Sequence, residues 1–556
     1  MARKHRVLII GLDGATLDLI TPWAQEGLLP NLARLMQTGR AGQLRSVQPV
    51  VSAGAWSTFM TGVNPGKHGV YDFVYRESGG YRLRPTTMRD ISYPTMWKLL
   101  SEQGYRVGVI NVPMTYPPEP VNGFLVSGLG TPNYKNFSYP SELSDIMLRR
   151  GYRVNRKMYY PENDPGGFLE DTFDLIAGLQ ANALWLMKNN EWDLFVVVFR
   201  DTDDVAHGFW HYMDESHPQY IPNSPYRDAI LRLYQQLDQY VGQLVQAAGK
   251  NTTVFVLSDH GFGPLYKDVF LNEWLRQQGY LIPAHIPTEH NILNRLGLTR
   301  SNISRTLRRL HLTKLEFWIK DLLGDKIDVL PRVEWPDFHT GIDWHRTRAY
   351  SYGYQGQIFI NLEGREPNGI VQPGKEYETL LEELTQKLKA MRDPEDGRPV
   401  VDTIYYGRQL YHGPAQQFAP DLVLVMRNLA YITRLGFELG NQPGEIFAPS
   451  RVGETGGHRI NGVLIAAGPG INAKAQQTQP SPWLGDITPT ILHLLDASIP
   501  TWIDGRVLTD WLAPEIAARP IKYQAEDHPH IVPQEAQMSS QEEQELLERL
   551  SNLGYL

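Results

Sequence analysis

At 556 residues, with 42% hydrophobic and 21% charged side chains, the chain has the composition of a large folded globule, not of a fibrous or disordered protein. Its formal net charge of -8 lacks the basic excess that a nucleic-acid polymer would demand, and the absence of cysteine excludes disulfides and thiolate metal ligands. No apolar run approaches the ~20 residues that span a bilayer, and the N-terminal run Val7 to Leu12 ends at once in Asp13, so neither a signal peptide nor an anchor is expected and the expected location is cytoplasmic.

In chain order, the apolar runs Arg6 to Leu12, Tyr105 to Val112, Trp192 to Phe199, Thr253 to Leu257 and Gly462 to Ala467 stop abruptly in Gly, Asp or Ser, which predicts buried strands. Helical periods occupy intervals such as Pro94 to Gly104 and Tyr226 to Ala248. This alternation predicts an α/β fold with a mostly parallel central sheet and helices on both faces. The expected organisation is a core in two parts, 1–263 and 346–515, with an inserted cap or lid over 264–345 and a tail over 516–556 that carries a short helix at Ser540 to Ser551. Inside the insertion, 291–325 interleaves Arg295, Arg300, Arg305, Arg308, Arg309, Lys314 and Lys320 with Leu307, Leu310, Leu315 and Phe317, the pattern of a basic amphipathic helix. A solvated lid or oligomer contact is its ordinary reading, and docking on an anionic membrane surface or substrate the alternative.

In a parallel sheet the chemistry gathers at the carboxyl ends of the strands. Asp13 ends the first run, Asp203 and His207 follow the run to Phe199, and Asp259 and His260 follow the run to Leu257. Asp203 and His207, four apart, share one face if a helix begins there. Asp259 and His260 sit in LSDHGFG, where a glycine-flanked turn is needed to bring both inward, because neighbours on a strand face opposite ways. His458, in the glycine-rich loop ETGGHRING, completes the set. Singly these are a surface pair, a common turn and a common loop; their joint placement at strand ends points to a metal centre. Three Asp and three His without Cys suit two divalent cations, zinc first and manganese second. A hydroxyl beside such a cation becomes a nucleophile near neutral pH. Ser52, Ser57, Thr58 and Thr61 are the candidates, with Ser52 preferred although spacing alone does not separate the four. GLDGATLD lacks the G-x-G-x-x-G spacing of a dinucleotide site.

The order Asp13, Ser52, Asp203-x3-His207, Asp259-His260, His458 resembles the metal-site pattern of the alkaline phosphatase superfamily, and within it the type I phosphodiesterase/nucleotide pyrophosphatase family. The likeness runs through GLDG, TGVNPGKHGVYDF, SDHGFGP, INLEGREPNGIV, GGHRINGVLIAAGPGI and DITPTILHLL. Counting back from Thr61-Gly62, the resemblance implies Ser52 as nucleophile. It implies one metal on Asp203, His207 and His458, and a second on Asp13, Asp259 and His260 with Ser52 Oγ. Asp486, in a packing segment, stays outside the ligand set.

The implied reaction is hydrolysis of a small or lipid-like phosphodiester or pyrophosphate through a phosphoserine. A phosphomonoesterase, phosphonate hydrolase or phosphomutase is the alternative. A non-catalytic binding protein is the reading from another class, and the intact ligand set argues against it. Two departures stand out. The asparagine that nucleotide pyrophosphatases carry three residues after the nucleophile is Ala55 here, so substrate contact must come from a backbone amide or a residue such as Lys67. Gly54 and Trp56 break the sulfatase signature. Trp56, His68, Arg200 and the insertion are further candidates for shaping the pocket, although Trp56 reads equally as core and His68 as part of a structural turn.

Overall fold

The structure, a computed structural model, describes residues 5–77, 79–132, 136–157, 164–284, 341–433, 444–451, 453–473, 480–525, 542–543 and 546–547. The strands read from the sequence form at Arg6–Leu12, Val107–Val112, Leu194–Phe199, Thr252–Leu257 and Asn461–Ala467. They join Arg40–Arg45, Gly123–Ser127 and Ser138–Tyr139 in one eight-stranded sheet.

Five neighbouring strands of that sheet run parallel, in the order 252–257, 6–12, 194–199, 107–112, 123–127. Side chains along them alternate between two cores. Val7, Ile9, Val196 and Val198 face one, while Leu8, Ile10, Val197 and Phe199 face the other. Both faces are therefore buried, which is why these strands read as unbroken apolar runs. The helices Ser52–Thr61, Met96–Glu102 and Ile487–Leu494 cover the first face. Pro30–Thr38, Pro165–Asn189 and Ala229–Ala248 cover the second. The last shows how: Ile230, Leu233, Tyr234, Leu237, Val241 and Leu244 recur at helical spacing and are buried.

The strand Asn461–Ala467 is antiparallel to Thr252–Leu257. Its amino-terminal end therefore lies at the same sheet edge as the carboxyl ends of the parallel strands. That reversal lets residues before a strand join residues that follow the others. His458 is not in a loop as expected: Gly456–Arg459 is a strand, paired antiparallel with Gly261–Pro264 so that His458 faces Phe262.

The expected boundary at 345/346 does not mark a change of sheet. A second sheet combines Lys267–Val269 with strands from Ala349–Ser351 to Phe447–Pro449, and the chain re-enters the main sheet only at Asn461. The basic segment 291–325 lies outside the described residues. Of the expected tail helix, residues 542–543 and 546–547 are described and helical, with Leu546 buried against the core.

The second sheet is held by a charged node in the INLEGREPNGIV stretch. Arg365 donates to both carboxylate oxygens of Asp421 at 2.9 and 2.7 Å, and Asp421 also accepts from Ile360 N and Tyr377 Oη. Burial works against the guanidinium, but Asp421 outweighs it and holds Arg365 firmly protonated. Removing one partner of such a pair strands the other. Asp421→Ala is expected to lower unfolding stability by about 3–5 kcal/mol, read from urea denaturation; a loss under about 1 kcal/mol would mean the pair acts as a surface contact.

Candidate metal centre

The first strand ends at Leu12, and the chain turns at Gly14 with φ 66°. A Cβ there would be strained by the backbone angle and would crowd Asp203 Oδ1 at 3.1 Å and Phe262 Cδ2 at 3.0 Å, so the turn favours glycine. Asp13 is thereby aimed at the sheet edge, with Oδ2 accepting from Trp56 Nε1 at 2.9 Å. Asp203 and His207 occupy the first two turns of the helix Asp201–Met213, with His207 Nε2 3.4 Å from Asp203 Oδ2. Asp259 and His260 lie in a bend beyond the strand Thr252–Leu257. Asp259 Oδ1 accepts from Gly14 N at 3.2 Å. His260 Nε2 lies 3.3 Å from Asp259 Oδ2, 3.6 Å from Asp13 Oδ1 and 3.8 Å from Asp203 Oδ1. His458 Nε2 lies 3.3 Å from Asp203 Oδ1, and its ring stacks on that of His260 with centroids 3.7 Å apart. All six residues are buried.

The three imidazoles are oriented alike. Nδ1 of His207 meets the Gly456 carbonyl at 2.8 Å, that of His260 the Gly261 carbonyl at 3.0 Å, and that of His458 the Val50 carbonyl at 2.7 Å. A carbonyl only accepts, so each Nδ1 carries the hydrogen and each neutral ring presents the Nε2 lone pair to the centre. His207 Nε2 and His458 Nε2 are 3.1 Å apart. Two facing lone pairs repel unless a cation or a proton lies between them.

Burial lowers the His207 pKa, but the Asp203 carboxylate overrides it and holds the ring at about 9. Burial, reinforced by His260, pushes His458 down to about 4. Burial also raises Asp13 well above the carboxylate range, helped by Asp259 and Asp203. Asp203 goes the other way: burial would raise its pKa, but the charge on His207 outweighs it.

The donor set fits divalent cations. Asp13 Oδ1 and Asp259 Oδ2 are buried with no hydrogen-bond partner among the described residues, which is costly without an ion. Two groups place their ligand atoms within 4.8 Å of one another: Asp203, His260 and His458, and Asp13, Asp259 and His260. His260 thus stands between the two ligand sets, while His207 reaches the first through Asp203 and His458.

Of the four candidate hydroxyls, Ser52 is the one brought to the centre. It begins the helix Ser52–Thr61 and its Oγ lies 3.0 Å from His260 Nε2. Ser57 Oγ and Thr61 Oγ1 donate back to the carbonyls of Ala53 and Ser57, and Thr58 Oγ1 bonds His68 Nε2.

The family model for type I phosphodiesterase / nucleotide pyrophosphatase matches residues 7–435. The chain belongs to that family. It is accordingly a phosphoester hydrolase of the alkaline phosphatase superfamily. Phosphonoacetate hydrolase from Sinorhizobium meliloti 1021, in complex with phosphonoformate, has a similar fold, with a TM-score of 0.54 at 14% identity over 89% of this chain and 96% of that one. Human ectonucleotide pyrophosphatase/phosphodiesterase 5 superposes with a TM-score of 0.49 at 12% identity over 91% of this chain and 99% of that one. No curated protein matches the chain by sequence. Among the described residues no helix is long and apolar enough to cross a membrane.

The family match ends before His458, whose place follows from the distances above. The remaining expected residues divide. Trp56 is fully buried and packs edge-on against Phe59, so it is core, and its one polar contact is with the Asp13 carboxylate, not with an open pocket. Lys67 is not brought to the centre: its ammonium is held by Asp504 Oδ1 at 2.5 Å and the Trp502 carbonyl at 2.7 Å, beyond the far end of the Ser52–Thr61 helix. His68 is structural, since Val70 N donates to its Nδ1 and Nε2–H is left for Thr58, while burial lowers its pKa to about 3. Arg200 pairs with Asp204 at 3.1 Å. Asp486 accepts from Trp483 N in a short helical turn and from Arg506 N. Sequence reasoning missed the carbonyls of Val50, Gly261 and Gly456 that set the imidazole tautomers, and the loop Tyr352–Gly356, whose Tyr354 ring lies 5.7 Å from that of His458. The glycine-tyrosine run SYGYQG was its only trace.

Proposed function

We propose that this family member hydrolyses small or lipid-like phosphodiesters or pyrophosphates, with Ser52 as nucleophile and two divalent cations, zinc foremost, held by Asp13, Asp203, His207, Asp259, His260 and His458. The observation that carries this reading is the pair of facing Nε2 atoms, His207 and His458, 3.1 Å apart among three buried carboxylates beside the Ser52 hydroxyl. Cations held there would offset charge on the entering and departing oxygens and favour the ionised serine. Three carboxylates and one alkoxide match the charge of two divalent ions, so an anionic ester can approach.

The chain's own groups supply the rest. Without metal, Ser52 Oγ donates to His260 Nε2, because that nitrogen carries no hydrogen when Nδ1–H bonds Gly261; a cation on that lone pair would replace this bond. The serine oxygen is oriented at the first turn of a helix, where the positive end of the dipole favours an anion. The residue capping that helix is Val51, which offers no side-chain acceptor to the first-turn amides. Those amides suit a phosphoryl oxygen. Attack by Ser52 would form the Oγ–P bond as the bond to the departing ester oxygen breaks, leaving Ser52 esterified to a phosphoryl group that keeps its second substituent, for water to cleave.

Protons compete with metal at this centre. His207, held at about 9, must lose its proton to become a ligand. Apparent zinc affinity is therefore expected to rise by at least about tenfold per pH unit between pH 6 and 8, since His207 alone releases one proton. Titration against a zinc chelator at both pH values measures it, and a flat profile would contradict the ligand role of His207.

Substrate preference is tested by stripping the protein of metal, refilling it with zinc or manganese, and comparing bis-p-nitrophenyl phosphate with p-nitrophenyl phosphate. The expected result is a metal-dependent preference for the diester. Preference for the monoester would move the protein to phosphomonoester chemistry on the same centre.

A further inference from the structure

The loop Tyr352–Gly356 crosses the start of the Ser52–Thr61 helix, and Gln355 is its point of contact. Val50 N donates to Gln355 Oε1 at 2.8 Å, and the Val50 carbonyl accepts from His458 Nδ1 at 2.7 Å. The carboxamide is thus anchored two residues before Ser52, on the backbone unit that also orients a candidate metal ligand. Because the Val50 amide requires an acceptor, the amide oxygen faces Val50 and the NH2 group must face away from it. Gln355 is 1% exposed, and its Nε2 is buried with no hydrogen-bond partner among the described residues.

The backbone repeats the message. Gln355 has φ 66°, in the left-handed region that a residue with a side chain seldom adopts, between Gly353 at 91° and Gly356 at 71°. Gly356 N donates to Thr433 Oγ1 at 2.6 Å, which pins the turn. A strained residue held by its surroundings, whose buried donor has nothing to bind, is characteristic of a ligand contact. A side-chain N–H donor is also what the centre otherwise lacks among the described residues, since its other side chains are carboxylates, a hydroxyl and Nε2 lone pairs, and Ala55 contributes no polar group.

We infer that Gln355 Nε2–H donates to a non-bridging oxygen of the phosphoryl group presented to Ser52, an inference that rests on the phosphoester reading above. Gln355 is then a substrate-binding residue, supplying from a distant loop the neutral donor missing from the helix.

The test is calorimetric titration of inorganic phosphate into zinc-loaded wild type, Gln355→Glu and Gln355→Met, with zinc content and thermal midpoint measured in parallel. Gln355→Glu keeps the acceptor for Val50 N and removes the donor; Gln355→Met removes both and adds no charge. Both variants are expected to hold wild-type zinc and to bind phosphate at least ~10-fold more weakly. Unchanged phosphate affinity in either folded, zinc-loaded variant would overturn the inference, as would a wild type that binds no phosphate. Hydrolysis is read separately. A wild type that binds phosphate through Gln355 yet cleaves no ester would sink the proposed function and leave the anion contact standing.

Discussion

Hydrolysis of bis-p-nitrophenyl phosphate is expected to fall by at least ~10³-fold in Ser52→Ala, while the zinc bound at saturation and the thermal midpoint stay near wild type. Removal of one buried oxygen leaves the helix intact, because Ser52 makes its side-chain hydrogen bond to His260 and none to its own helix. The large effect is chemical. The rival hydroxyls of Ser57, Thr58 and Thr61 are committed to Ala53, His68 and Ser57 and cannot take over. Residual activity above one-tenth of wild type, in the same zinc-loaded state, would show that water attacks directly and that Ser52 only fills space.

The second large effect is expected from His458→Ala. This change removes the Nε2 that faces His207 and Asp203, and leaves the Val50 carbonyl without its donor. With His458 in the proposed ligand role, its loss should weaken zinc by at least ~100-fold, on the scale of the losses caused by changing mere supporting partners. The unpaired carbonyl should cost a further ~1–3 kcal/mol of stability. Dialysis against limiting zinc followed by elemental analysis measures the first, and denaturation the second. A variant retaining the wild-type zinc content would place His458 outside the metal centre.

These effects turn on a geometry that was only partly legible in the sequence. The strands that lead to Asp13, Asp203 and Asp259 were readable because both faces of the sheet are buried, which writes them as continuous apolar runs. Their exits were readable because a parallel sheet places them at one edge. His458 was harder: Gly456 and Gly457 look like a loop, and only pairing with Gly261–Pro264 makes a strand of them. The second sheet was missed as a unit because it joins Lys267–Val269 to strands more than 160 positions later, a pairing no local pattern records. The choice among four hydroxyls needed distances. Lys67 looked available by its charge, yet Asp504, 437 positions away, claims it. Gln355 was invisible because its significance lies in a backbone angle and an unsatisfied amide.

The most direct test of the central claim is a zinc titration of metal-stripped protein, with bound zinc per chain and diester hydrolysis followed in the same samples. Negligible activity is expected without metal, with activity rising to its plateau as two equivalents bind. Full activity in the stripped protein, or saturation with no zinc bound at all, would contradict it.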